Sequence, residues 1–218
     1  MKLYLVRHGE SEANMQGIYS GFLDTKLTKK GERQARECYE LLKHITFDKV
    51  ICSDLQRAYK TACIVSAISE EKIIVREGLR EMNFGNWEGL SHKQILESDK
   101  EYYEKWMEDY YKLTTPEGES LNTFYERVNS EFDIIKKEYL FKISDGTPPS
   151  LRKGEKEKEK NILVVSHSGV IRALLSKEIL ASMEGYWKFA IDNCSVTVIE
   201  YDEKEYAFLK NLNYSGRI

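Results

Sequence analysis

The run Ile162-Leu163-Val164-Val165-Ser166, followed by His167-Ser168-Gly169, decides the fold class of this chain. An uncharged apolar run of this kind is typical of a strand that is buried on both faces. A helical pattern then extends from Gly169 to Leu180. The same order of strand and helix recurs near the start of the chain and again after Lys49. It predicts an α/β fold with a mostly parallel central sheet and helices on both faces.

The other predicted elements extend this alternation. Strands are predicted at Lys2–Val6, Lys49–Cys52 and Lys72–Arg76, with a C-terminal hairpin at Ser195–Tyr201 and Tyr206–Leu212. Thr28 can cap a helix that runs to about Lys43. The segment Ser53-Asp54-Leu55-Gln56 fits a capping box, which predicts that the next helix begins there.

Residues 91–140 depart from the alternation, because they carry helical signals and no clear strand. Ser91-His92-Lys93-Gln94 is a second capping box, and apolar residues keep helical spacing from Leu121 to Tyr139. We expect a helical insertion that covers the C-terminal edge of the strands, within a single domain spanning residues 1–218. Residues 144–160, which end in the mixed-charge run Arg152–Lys160, are expected to form an exposed, mobile loop.

The composition narrows the possible classes of protein. The chain has 218 residues, 33 Lys and Arg against 36 Asp and Glu, and a net charge of −3, which gives no reason to expect a nucleic-acid or membrane partner. Arg7-His8 ends the first apolar run too soon for a signal peptide. The four cysteines form no C-x-x-C pair and are expected to be thiols in a reducing cytoplasm.

Polar residues that could take part in catalysis or ligand binding follow three of the predicted strands. In a parallel sheet, ligands bind beyond the carboxyl ends of the strands. Arg7 and His8 follow the first strand, Arg57 lies just beyond the second, and His167 follows the strand at residues 162–166. We therefore expect two histidines and two arginines to meet at one edge of the sheet. His44 and His92 follow no strand and are expected to be surface residues.

A phosphate is the ligand that best satisfies this set of side chains. Two imidazoles beside two guanidiniums form an unfavourable cluster unless an anion neutralises it, and the arginine fork matches phosphate oxygens. The helix that opens at Ser168-Gly169 adds free backbone N–H groups. No H-E-x-x-H or Cys/His spacing is present and the arginines would repel a cation, so we expect no metal.

A histidine can attack phosphorus and carry the phosphoryl group, and the leaving alcohol then needs an acid. Glu77, Glu81 and Glu88 are candidates for that acid, since they follow the third predicted strand. Glu81 lies in the aromatic and glycine-rich stretch Leu79–Gly89, which could close over the same edge. The alternative is that Glu81 is a solvated loop residue.

These motifs resemble a known family. Leu5-Val6-Arg7-His8-Gly9-Glu10-Ser11 resembles the signature of the histidine phosphatase superfamily, which includes the phosphoglycerate mutases. The resemblance covers nearly the whole chain and is weakest over residues 141–160. It continues through Asn14, Gly21, Asp24, Leu27-Thr28, Gly31, Ser53, Arg57-Ala58, Thr61, Glu81–Gly89, Glu117–Ser120 and Val165–Gly169.

The resemblance implies a role for each matching residue. It implies a phosphoglycerate mutase-like three-layer sandwich, with His8 as the phosphorylated nucleophile and Glu81 as the proton donor and later the base. Arg7, Arg57 and His167 would form the phosphate pocket. Further phosphate contacts would come from Asn14, Ser20, Gly21 and Ser168. The family requires no metal or other cofactor.

The same resemblance favours a phosphatase over a mutase. The stretch Glu81–Gly89 lacks the extra positive side chains that would hold a second phosphate, and it is similar to the phosphatase branch, which includes α-ribazole phosphatases and broad-specificity phosphatases. The substrate would be a small-molecule phosphomonoester, and the protein a monomer or homodimer. A phosphoglycerate mutase and a non-catalytic phospho-ligand binding protein are the alternatives.

An aromatic set lies in the helical insertion. Its members are either a wall for a ring-bearing leaving group or simply packing residues: Tyr102, Tyr103, Trp106, Tyr110 and Tyr111.

Overall fold

The computed structural model describes residues 1–140 and 160–216. Its strands are β1 (Lys2–Arg7), β2 (Lys49–Cys52), β3 (Ile73–Val75), β4 (Asn161–Ser166), β5 (Val196–Tyr201) and β6 (Ala207–Tyr214). Its α-helices are α1 (Glu12–Gln16), α2 (Lys29–Leu42), α3 (Gln56–Ser66), α4 (His92–Ser98), α5 (Lys100–Glu108), α6 (Leu121–Ile135) and α7 (Ser168–Leu180). A turn of π-helix, Lys136–Leu140, extends α6.

Within the described residues, the strands form one six-stranded sheet in the order β3-β2-β4-β1-β5-β6. The four strands from β3 to β1 are parallel, and the C-terminal hairpin of β5 and β6 adds two antiparallel strands. The predicted mostly parallel sheet and the hairpin are therefore confirmed. The β1–β4 register pairs Arg7 with Ser166, so both strands end at the same level.

Two apolar layers cover the sheet, because successive side chains of a strand point to opposite faces. Leu3, Leu5 and Val164 lie in the cluster that α6 and α7 complete. Tyr4 and Val165 lie in the cluster that α2 and α3 complete. This three-layer arrangement confirms the predicted helices on both faces.

The helices of the predicted insertion lie in two places. The helix α5 lies at the carboxyl edge of the strands, and α6 lies in the helical layer on the sheet. The capping box at Ser91 forms, with its hydroxyl accepting from the N–H of Gln94. Tyr103 and Trp106 of α5 lie beside the cavity at the carboxyl edge of the strands. By contrast, α6 packs against α7 as part of the layer on the sheet. The predicted loop over 144–160 lies outside the described residues, apart from Lys160.

The predicted capping box at Ser53–Gln56 is wrong. Leu55 occupies the N-cap of α3 and makes no capping hydrogen bond with its side chain. The cap comes from a distant residue, since the Asp24 carboxylate accepts from the Gln56 N–H at 2.8 Å. Asp54 pairs with Arg80 instead, and the Ser53 hydroxyl lies 3.0 Å from His167. Both side chains are thus committed to tertiary contacts that outweigh the local cap.

Candidate active site

The strand register brings the two predicted histidines together. His8 follows Arg7 on β1, His167 follows Ser166 on β4, and the His8 N–H donates to the Ser166 carbonyl at 2.9 Å. The imidazole centroids lie 5.0 Å apart with 63° between the ring planes. Both side chains are buried. The expected meeting of distant chain segments at one edge of the sheet is present in the structure.

The tautomer of His8 is fixed by its own loop. Nδ1 lies 2.7 Å from the Gly9 carbonyl oxygen. A carbonyl only accepts, so Nδ1 carries the proton and Nε2 keeps its lone pair. Burial lowers the pKa of His8 well below its usual value, and the charges of Arg57 and Arg7 lower it further. The ring is therefore neutral near pH 7, with one nitrogen available as a nucleophile.

The His167 ring is oriented by the Ser53 hydroxyl. Its Nε2 lies 3.0 Å from the Ser53 hydroxyl, and its buried Nδ1 has no hydrogen-bond partner among the described residues. Burial lowers the pKa of His167 well below its usual value, with Arg57 and His8 as further causes. The orphaned nitrogen is free to contact a bound group.

The two predicted arginines are anchored by backbone carbonyls. Arg7 Nη1 donates to the Ile191 carbonyl at 2.7 Å, and Arg57 donates to the carbonyls of Leu23 at 2.8 Å and Gly21 at 2.7 Å. Burial is the main cause that lowers the pKa of each guanidinium. Both groups stay protonated, because arginine loses its proton only far above physiological pH. They give this cavity a fixed positive potential.

Only one of the three candidate acids lies in the cavity. The Glu81 carboxylate accepts from the Gly169 N–H at 2.9 Å and lines the same cavity as His8. The side chain of Glu77 is 78% exposed and lies beside Arg80. Glu81 is thus not a solvated loop residue.

The Glu88 carboxylate binds backbone N–H groups and does not line the cavity. It accepts from the backbone N–H groups of Gly21, Phe22, Leu23 and Phe84, at 2.8 to 3.0 Å. It therefore ties the loop after α1 to the stretch that follows Glu81.

The structure gives different positions to the other predicted phosphate contacts. Asn14, Ser20 and Ser168 line the cavity. Gly21 is not among the lining residues, since its N–H donates to Glu88 and its carbonyl accepts from Arg57. Gly21 therefore positions the Arg57 guanidinium. His44 and His92 are exposed, as expected.

Sequence reasoning missed Arg127, which holds the loop that carries Glu81. Its guanidinium donates at 3.1 Å to the carbonyls of Gly78, Arg80 and Glu81, and it pairs with Glu119. Arg127 lies mid-helix in α6, 46 positions from Glu81, with nothing local to mark it. The quoted Glu117–Ser120 motif was the one available signal, since it contains the partner Glu119.

Asn193 is a second residue that sequence reasoning missed. Its amide donates to the His8 carbonyl at 2.9 Å and to Asn14 Oδ1 at 3.2 Å. It therefore joins the loop that carries His8 to α1. It lies in the turn before β5, where an asparagine is common and points to no particular chemistry.

The cavity is larger than a phosphate requires. The cavity that contains His8 has a volume of about 620 Å³. Its inner end carries the histidines and arginines. Its outer part is aromatic, lined by Tyr19, Phe84, Tyr103, Trp106, Tyr110 and Trp187, whereas the buried Tyr186 lies near Glu81. Of the aromatic set in the insertion, Tyr103, Trp106 and Tyr110 face the cavity.

Residues 1–140 and 160–216 contain no group of three or more His, Cys, Asp or Glu that could hold a metal ion. No helix in the same residues is long and apolar enough to cross a membrane. The fold and the site together define a class, namely α/β proteins with paired histidines and arginines at the carboxyl edge of a parallel sheet, a set of groups suited to a phosphoryl group.

Comparison with known proteins makes this class specific. Residues 3–213 match the model of the histidine phosphatase superfamily (branch 1). The chain is 34% identical over 213 residues to the adenosylcobalamin/alpha-ribazole phosphatase of Escherichia coli (strain K12), covering 98% of this chain and 96% of that protein. The chain belongs to the histidine phosphatase superfamily, and it is a phosphatase.

Two other relatives agree with this assignment. Phosphoserine phosphatase 1 of Hydrogenobacter thermophilus is 29% identical, covering 96% of this chain and 91% of its own. The structure of the alpha-ribazole phosphatase from Shigella flexneri has a TM-score of 0.84 at 32% identity, covering 99% of this chain and 97% of that one. The resemblance to this family and the preference for a phosphatase are confirmed.

Proposed function

We propose that this chain hydrolyses phosphomonoesters through a phosphohistidine on His8, without a metal. The observation that carries the proposal is the pinned tautomer of His8. Its Nδ1 bonds to the Gly9 carbonyl at 2.7 Å, which leaves Nε2 unprotonated beside His167 and the two arginines. This arrangement supplies the nucleophile and the charge neutralisation that an in-line phosphoryl transfer needs.

The first step forms the bond between His8 Nε2 and phosphorus and breaks the bond to the ester oxygen. Arg7, Arg57 and His167 Nδ1 contact the oxygens of the transferring group. Glu81, in its protonated form, gives its proton to the leaving alcohol.

The second step reverses these roles. The Glu81 carboxylate takes a proton from water, the water oxygen bonds to phosphorus, and the bond to His8 breaks. Inorganic phosphate leaves, and Glu81 is again protonated. Asn14, Ser20 and Ser168, which line the cavity, would supply further phosphate contacts. For Gly21 the contact would be indirect, through Arg57.

For the substrate we propose α-ribazole 5′-phosphate, within a capacity for small phosphomonoesters more broadly. Two relatives named as alpha-ribazole phosphatases support it. The aromatic outer part of the cavity also supports it, because a flat leaving group buries apolar surface there. The mutase alternative is not favoured, since the relatives compared above are phosphatases.

The remaining assignments stay predictions. They are a single domain over residues 1–218, a cytoplasmic location, a monomer or homodimer, and the absence of a nucleic-acid partner. Gel filtration and the panel below address the oligomeric state and the substrate.

A panel of phosphomonoesters tests the proposed function. It contains α-ribazole 5′-phosphate, phosphoserine, a sugar phosphate, and 3-phosphoglycerate with and without the 2,3-bisphosphate. We expect hydrolysis that chelators leave unchanged and vanadate inhibits, and no turnover in His8→Ala. Full activity in His8→Ala would refute the mechanism. Isomerisation primed by the bisphosphate, with little release of phosphate, would refute the hydrolase assignment.

A further inference from the structure

Trp187 lines the active-site cavity and is not part of the hydrophobic core. It lies on the short 3-10 helix Met183–Lys188, between Tyr186 and Phe189, which are both buried. Its own side chain is 55% exposed. The neighbours anchor the segment, so Trp187 is presented at the surface while the backbone on either side is fixed. Together with Tyr110 and Trp106, which line the same cavity, Trp187 forms a contiguous apolar patch, which is typical of a ligand-binding surface.

The indole is oriented by Arg172. The Arg172 guanidinium carbon lies 5.2 Å from the centroid of the Trp187 ring, as in a cation–π contact. Arg172 Nε donates to the Phe189 carbonyl at 2.9 Å, which joins α7 to the segment that carries Trp187. Within the described residues, no carboxylate forms an ion pair with Arg172. Its planar cation packs on the indole at the wall of the cavity, which Arg172 also lines.

The aromatic neighbours of Trp187 make T-shaped contacts with its ring. Tyr186 and Tyr110 meet the indole at 87° and 84°, with centroids 4.8 Å and 5.9 Å away. No aromatic ring of the described residues stacks parallel to Trp187. An offset parallel stack is the geometry that a planar heterocycle of a ligand adopts on an indole.

We propose that Trp187, oriented by Arg172, determines specificity by stacking on the planar ring of the leaving group. The substrate class is a phosphomonoester whose alcohol carries an aromatic heterocycle several bonds from the phosphate. This proposal rests on the proposed function, because it places the phosphate at His8 at the inner end of the same cavity. Trp187 would act on substrate affinity, and the phosphoryl transfer itself would not need it.

Substitution of Trp187 tests the proposal. In Trp187→Ala we expect the KM for α-ribazole 5′-phosphate to rise roughly tenfold with kcat within about twofold, as loss of one base stack would give. The KM for phosphoserine, which has no ring, should change by less than about twofold. Trp187→Phe should restore most of the loss. Phe208→Ala is the matched control, since Phe208 is 52% exposed on β6 and lies outside the cavity wall.

A binding measurement separates stacking from turnover. Unphosphorylated α-ribazole should quench more of the tryptophan fluorescence of the wild-type protein than of Trp187→Phe, in which Trp106 remains in the cavity. Equal effects of Trp187→Ala on both substrates, or none on the ring-bearing one, would overturn the proposal while the enzyme remained active. Failure of the proposed function looks different, because His8→Ala would then keep its activity.

Discussion

Gly169→Ala should impair proton donation by Glu81 while leaving the fold intact. Gly169 lies in the first turn of α7, and a methyl group there would stand 2.1 Å from Glu81 Oε1. Ordinary van der Waals contact begins near 3.4 Å, so the carboxylate must move by about 1.3 Å. That movement strains its bond to the Gly169 N–H, and a 1 Å displacement of a catalytic group costs about 100-fold in rate.

The stability of this variant should change little. The displaced atom is the end of a flexible side chain, and alanine is favoured over glycine in a helix by about 1 kcal/mol. The Tyr186 hydroxyl, 2.7 Å from the added methyl, would also shift slightly. We therefore expect a Tm close to that of the wild-type protein, so that a loss of activity cannot come from unfolding.

Comparison of two leaving groups provides the assay. kcat/KM reports the steps up to alcohol release, which excludes the later attack of water. It should fall about 100-fold for an alkyl phosphate and less than about fivefold for p-nitrophenyl phosphate, whose leaving group needs no proton. Glu81→Gln should show the same selectivity.

Phe208→Ala is the control for Gly169→Ala, because it removes an exposed ring on β6 that lies outside the cavity. The ratio of kcat/KM between the two substrates should stay near that of the wild-type protein. An unchanged ratio of kcat/KM in Gly169→Ala, which means equal losses on both substrates, would refute the role given to Glu81.

Three further predictions concern the groups around Glu81 and the histidines. Ser53→Ala should lower kcat/KM about tenfold to 100-fold, because His167 loses the hydroxyl that orients it; steady-state kinetics on p-nitrophenyl phosphate would show this, and an unchanged value would contradict it. Arg127→Met should cost about 2–4 kcal/mol in urea unfolding and lower kcat/KM more for alkyl than for aryl phosphates, because the Glu81 loop loses three bonds at its carbonyls. Between the usual histidine pKa of 6.5 and the lower folded-state values, the unfolded chain binds protons at His8 and His167 that the folded chain does not. The free energy of unfolding should therefore fall as pH drops below 6.5, by up to about 1.4 kcal/mol per pH unit for each histidine. Urea titrations in phosphate-free buffer should show this slope, flattened in the double variant His8→Asn, His167→Asn.

The fold could be predicted from the sequence because its signals are local. A strand buried on both faces must be apolar throughout, and residues 162–166 show that requirement directly. Helix caps are harder to predict from sequence, because a side chain that can cap a helix can also form hydrogen bonds elsewhere. Thr28 caps α2 as predicted, whereas Ser53 turns to His167 and leaves the start of α3 to Asp24.

The site could be predicted where the residues follow a strand, and less well where the contacts are remote. His8 and His167 were identified because the parallel register places both at one edge of the sheet. Arg127 could not be found in this way, since its bonds go to backbone carbonyls that no sequence pattern distinguishes. Glu88 was only one of three candidate acids until its carboxylate was seen bonded to four N–H groups.

Burial accounts both for the tolerance of this charged cluster and for its reactivity. The sequence suggested four cations at one edge, an arrangement that only an anion would stabilise. In the folded chain, burial lowers the pKa of His8 and His167 so far that both rings are neutral near pH 7. The remaining cations, Arg7 and Arg57, donate hydrogen bonds to backbone carbonyls.

The same loss of a proton that relieves repulsion leaves Nε2 of His8 ready to attack. In the proposed mechanism, no separate base is then needed to activate His8. A substitution that admits water beside His8 should weaken the desolvation that lowers its pKa. We therefore expect the nucleophilicity of His8 near neutral pH to depend on how tightly the chain packs around the two imidazole rings. This packing should matter as much as the identity of the residues proposed to contact phosphate.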